Sequence, residues 1–60
     1  MKFYLEDFQN FKNAYRYDEY DSWLDSLRNN GYPSSKVVSY HNDLYEMDDI
    51  EYTWFVLNWS

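Results

Sequence analysis

Two hydrophobic periods divide the chain. In the first half, apolar residues recur at helical spacing. Across Glu6 to Tyr17, Phe8, Phe11 and Tyr15 fall at i, i+3 and i+7, a single stripe that predicts a helix. Gln9, Asn10, Lys12, Asn13 and Arg16 fill its other surface, and Glu6 and Asp7 suit its positive N-terminal end. Across Asp18 to Asn30, Tyr20, Trp23, Leu24 and Leu27 match i, i+3, i+4 and i+7. Asp18 or Asp21 supplies an acceptor for an N-terminal N–H, and Asn30-Gly31 followed by Pro33 supplies the stop. The five-residue step from Tyr15 to Tyr20 breaks the stripe. The expectation is therefore two helices, parted near Tyr17 to Asp18.

After a loop at Tyr32 to Ser35 the period becomes two. Lys36 to His41 is rich in β-branched and aromatic residues and predicts a strand. Asn42-Asp43 reads as a two-residue turn, and Leu44 to Met47 as a short returning strand. Ile50 to Trp59 reads as a long strand with Ile50, Tyr52, Trp54 and Val56 on one face. Its second half is apolar on both faces, through Phe55, Leu57 and Trp59. Lys2 to Leu5 adds a fourth strand if it joins the sheet. The predicted fold is α+β: two short N-terminal helices on one face of a small antiparallel β-meander, in one domain spanning residues 1–60.

Composition sharpens this picture. Eight Tyr, four Phe and three Trp outnumber the Ala, Val, Ile, Leu and Met residues, so the core must be built from rings. Phe8, Phe11, Trp23 and Trp54 are its expected members. A 60-residue chain without cysteine has neither the size nor the disulfides that usually secure a small fold. A homodimer is a natural source of the missing stability. The longest apolar run, Trp54 to Leu57, is far too short to span a membrane, and Glu6 comes too early for a secretory signal. The expected compartment is the cytoplasm.

Eleven Asp and Glu against five Lys and Arg give a net charge of −6. On a helix, Asp18, Asp21 and Asp25 fall within about 60° of one another, rising about 4.5 and then 6 Å along the axis. That spacing roughly tracks the phosphates of a nucleic-acid strand, one about every 3.4 Å. A second group, Asp43, Glu46, Asp48, Asp49 and Glu51, gathers around the predicted turns, and no Lys or Arg follows Lys36. Such acids either solubilise a small protein or imitate a polyanion to a basic partner. Tyr20, Tyr45 and Tyr52 are the accompanying ring anchors, because rings beside acids suit an arginine-rich surface.

Other chemistry finds little footing. His41 is the one histidine and no G-x-S-x-G elbow accompanies Ser35 or Ser39. A phosphate cradle needs more glycine than Gly31 alone. Asp43 to Glu51 lacks the order and the glycine of an EF-hand. Direct nucleic-acid binding is opposed by the charge. The expectation is a non-enzyme without cofactor or metal.

In size and composition the chain is similar to the short acidic inhibitors that bacteriophages encode against restriction, repair or RNA-guided nucleases, although no stretch carries a family motif. This likeness implies a partner that is a basic nucleic-acid-binding protein. The competing expectation is a structural or regulatory module, antitoxin- or immunity-like, that binds through an aromatic face while its acids only keep it soluble.

Overall fold

The computed structural model describes residues 1–15 and 22–60. The fold is α+β, as the periodicities predict. It contains β1 (Lys2–Tyr4), a 3-10 turn (Leu5–Asp7), α1 (Gln9–Ala14), α2 (Trp23–Asn29), β2 (Lys36–Ser39), β3 (Leu44–Glu46) and α3 (Asp49–Trp59). The sheet is antiparallel with order β1-β3-β2. β2 and β3 form a hairpin, and the N-terminal strand adds to the free edge of β3, pairing Phe3 with Tyr45. Backbone bonds continue this ladder at both ends, from the Leu5 N–H to the Asp43 carbonyl and from the Met47 N–H to the Met1 carbonyl.

Alternation of side chains sets the layers. Phe3 and Tyr45 point to the helices and are buried, whereas Lys2, Tyr4 and Lys36 point outward. The buried set is Phe3, Leu5, Phe8, Phe11, Leu27, Tyr32, Tyr45, Met47 and Phe55. Phe55 is its hub: the ring centroids of Phe8, Tyr32, Phe3 and Phe11 lie 4.6, 5.1, 5.3 and 5.4 Å away. Tilted and edge-on ring pairs at these distances are favourable beyond the area they bury.

Four sequence expectations are corrected. The largest concerns Ile50 to Trp59, which is the helix α3 and not a strand. Tyr52, Phe55, Val56 and Trp59 occupy i, i+3, i+4 and i+7, and this face packs on the core. Because the opposite face is apolar too, alternation and helical period both fit the run, and its length is that of a helix and exceeds that of a common strand. Asp49 and Glu51 in the first turn favour the helix N-terminus. Trp54, expected in the core, consequently lies on the outer surface.

Second, the helix expected over Glu6 to Tyr17 is interrupted at Phe8, whose φ of −117° and ψ of 63° are not helical. The interruption delivers the Phe8 ring to Phe3, edge-on at 5.7 Å. Third, the α2 cap is Ser22, whose Oγ accepts the Asp25 N–H at 3.1 Å. Asp18 and Asp21 lie outside the described residues. The predicted stop does hold: Gly31 adopts φ +105° and the Tyr32 N–H reaches the Leu27 carbonyl at 3.1 Å, with both side chains buried. Fourth, the hairpin turn covers residues 40–43 and not Asn42-Asp43 alone. A two-residue turn of type I′ needs two left-handed residues. Here only Asp43 is left-handed, with φ +57°, and its N–H closes on the Tyr40 carbonyl at 3.3 Å.

Candidate functional site

The acidic residues do different things. Asp18 and Asp21, with Tyr20, lie outside the described residues, so only Asp25 of the predicted row is placed; it is exposed in the first turn of α2. In the second group, Asp43 accepts from Lys12 Nζ at 3.2 Å, an ion pair with both side chains largely out of solvent. The same ammonium sits 5.4 Å from the centroid of the Trp23 ring. Lys12 thus ties α1 to the hairpin turn and to α2. The strand register sets Glu46 between Lys2 on one neighbour and Lys36 on the other, where opposite charges attract across strands. Glu51 Oε1 accepts the Ser34 N–H at 3.0 Å and the Ser34 hydroxyl at 2.6 Å. Asp48 and Asp49 stay exposed, with the Met1 ammonium 3.5 Å from Asp49.

The group is therefore not one bare ridge. Asp43, Glu46 and Glu51 face cations or hydroxyls of their own chain. Asp48 and Asp49, together with Glu46, line an open groove of about 650 Å³ that also holds Lys36, Met1 and Ile50. Among the described residues, no group of three His, Asp or Glu side chains is placed to hold a metal ion. No helix among them is long and apolar enough to cross a membrane.

Two of the tyrosines named as anchors pack in or on the core. Tyr45 is buried, with Phe3 at 6.3 Å and nearly parallel. Burial, with Asp43 and Tyr40 nearby, pushes its hydroxyl up from 10.0 to about 12. The folded state thus holds the proton more tightly than the unfolded chain. Stability from this group is complete below pH 10 and is lost as pH rises through about 12. Urea denaturation between these values should show falling stability, and Tyr45→Phe should flatten that fall. Tyr52 is half-buried, with Phe3 at 5.5 Å and Phe8 at 6.4 Å. Trp59 closes the other end of the core, edge-on to Phe11 and Tyr15, both at 5.3 Å.

Beside the exposed Tyr4, Val38 and Tyr40 of the sheet and its turn, a stripe of large apolar side chains stands in water on α3. Ile50, Trp54 and Leu57 are 74%, 64% and 78% exposed. Their spacing, i, i+4 and i+7, places them on one helix face, opposite Phe55. Met1, itself exposed, shares the groove with Ile50 and prolongs the patch. From Tyr52 to Ser60 the chain carries no charged side chain. The signal was present in the sequence, because a helix that is apolar all round is ordinarily covered all round. Comparison with known proteins found no matching family, no matching curated protein and no matching solved structure.

Proposed function

We propose that the protein is a binding module without chemistry of its own, a small cytoplasmic regulator or inhibitor that docks on a partner protein through the outer face of α3. One observation carries this reading: three large apolar side chains stand exposed on one helix face that the core does not use. An amphipathic helix presenting anchors at i, i+4 and i+7 is a recurrent mode of protein recognition. The negative charge offsets the exposed apolar face in solution and repels nucleic acid.

Polyanion imitation is the second reading. It is favoured by the net charge of −6 and by the exposed Asp25, Asp48 and Asp49. Its partner would be a basic nucleic-acid-binding protein. Because α2 starts only after the extended Ser22, Asp18, Asp21 and Asp25 do not form one helical row. The binding surface would be Asp25 with the exposed members of the second group, joined by Asp18 and Asp21, which lie outside the described residues.

Salt separates the two. Immobilised protein is offered a lysate of the cells that produce it, and the retained partner is washed between about 50 and 300 mM salt, a range over which exposed charges are increasingly screened. The apolar reading expects a partner that stays bound throughout and is lost with Trp54→Glu. Retention that falls steeply with salt, survives Trp54→Glu and weakens with Asp25→Asn would overturn it in favour of imitation.

A further inference from the structure

We infer that in the free protein the outer face of α3 is covered by a second copy of the same chain, with the two α3 helices antiparallel across a two-fold axis between Thr53 and Trp54. The inference rests on the reading of this face as a contact surface and names its occupant when no partner is bound.

The pattern is self-complementary. A two-fold interface requires that if residue i meets residue j, then j meets i. Ile50 and Leu57 lie symmetrically about the midpoint of the stripe. An antiparallel pair therefore sets each Ile50 against the other copy's Leu57 and brings the two Trp54 rings together at the centre.

Charge selects the direction. In this arrangement Asp49 of one copy faces Asn58 of the other, and the two Asp49 carboxylates stand about 13 Å apart along the axis, at 1.5 Å per residue. That exceeds the screening length of about 8 Å at physiological salt. A parallel pair would set Asp49 against Asp49 and Asp48 against Asp48. Glu51 is held by Ser34 and does not enter the contact as a free charge. The antiparallel helix dipoles also oppose each other favourably.

The three side chains leave on the order of 400–500 Å² in water, about a tenth of the 4223 Å² surface of the chain and about half of the ~800 Å² that a standard interface takes from each partner. With Met1, Thr53 and Asn58 at the flanks, two copies reach roughly the 1,200 Å² at which stable interfaces begin. A patch of this size matches the largest apolar patch of a typical monomer, about 300–600 Å², which is often a functional one. Self-association would hide the face, so partner capture would compete with the dimer and depend on protein concentration.

Sedimentation of the full chain over a dilution series is the test. A concentration-dependent dimer is expected, with Trp54→Glu raising the dissociation constant by roughly 100-fold, as removal of a central aromatic anchor does, while circular dichroism stays unchanged. Because the chain has no cysteine, direction can be read by oxidation. A mixture of Ile50→Cys and Leu57→Cys proteins should link to each other faster than either links to itself. A monomer at every concentration, a dimer indifferent to Trp54→Glu, or preferential linkage of Ile50→Cys to itself would overturn the inference. A monomer whose partner capture is still lost with Trp54→Glu would refute self-association alone. A face whose substitution changes neither dimer nor capture would refute the contact-surface reading as well.

Discussion

Replacing Phe55 with alanine is expected to unfold most of the protein. Its side chain is fully buried and four rings close on it. Removing a buried phenylalanine costs about 3–5 kcal/mol in transfer and cavity terms. In a chain this short a single core rarely supplies more than about 3–5 kcal/mol in all. The residue before it behaves oppositely. Trp54 is large and aromatic but exposed, so Trp54→Ala should change monomer stability by no more than about 0.5 kcal/mol. Urea denaturation of the two variants at low protein concentration checks the pair. The contrast matters because a strand over Ile50 to Trp59 with Trp54 facing the core would make Trp54→Ala the damaging change. A large loss on Trp54→Ala with a small one on Phe55→Ala would contradict the helical assignment.

Glu51→Ala is expected to cost about 1–3 kcal/mol, the penalty for stranding partly buried hydrogen-bonding groups. The carboxylate holds both the N–H and the hydroxyl of Ser34, and Ser34 Oγ in turn accepts the Asp48 N–H at 3.0 Å. This one chain of bonds fastens the start of α3 to the loop after α2. The same loop is secured on its other side, where the Ser35 hydroxyl donates to the Tyr32 carbonyl and Arg28 Nε donates to the Ser35 carbonyl. Glu51→Gln keeps an acceptor without the charge and should recover part of the loss, since hydrogen bonds to ionised groups are the stronger kind. Thermal denaturation of both variants distinguishes this structural role from one of mere solubility. Under the latter, neither substitution would lower the melting temperature.

Much of the fold is legible in the residues alone. Val37 and Val38 between Lys36 and Ser39 announce β2, and Leu27, Asn30 and Gly31 announce the end of α2. Phe8 and Phe11 are core residues as their spacing says. The pairing of β1 with β3 was open, because three residues carry too little pattern to choose an edge. Ile50 to Trp59 is ambiguous in sequence for a specific reason. An uninterrupted apolar run satisfies alternation and helical period alike, and the acids before it resemble turn residues as readily as a helix N-terminus. The candidate site turns on that ambiguity. Trp54 in a strand is a core residue, whereas on α3 it is the centre of an exposed stripe. Charge was legible only as a total. Which acids are free depends on contacts distant in sequence, such as Lys12 with Asp43 and Ser34 with Glu51, which no local pattern reveals.

The central claim is that the outer face of α3, with Trp54 at its middle, is where this protein makes contact. Each of the three tryptophans carries one indole N–H that nuclear magnetic resonance can follow, and their response to dilution reads that face directly. The Trp54 signal should move as the protein is diluted, while those of Trp23 and Trp59, packed against the core, stay in place. Shifts confined to Trp23 or Trp59, or no shift at Trp54 over a range in which the protein changes its association state, would contradict it.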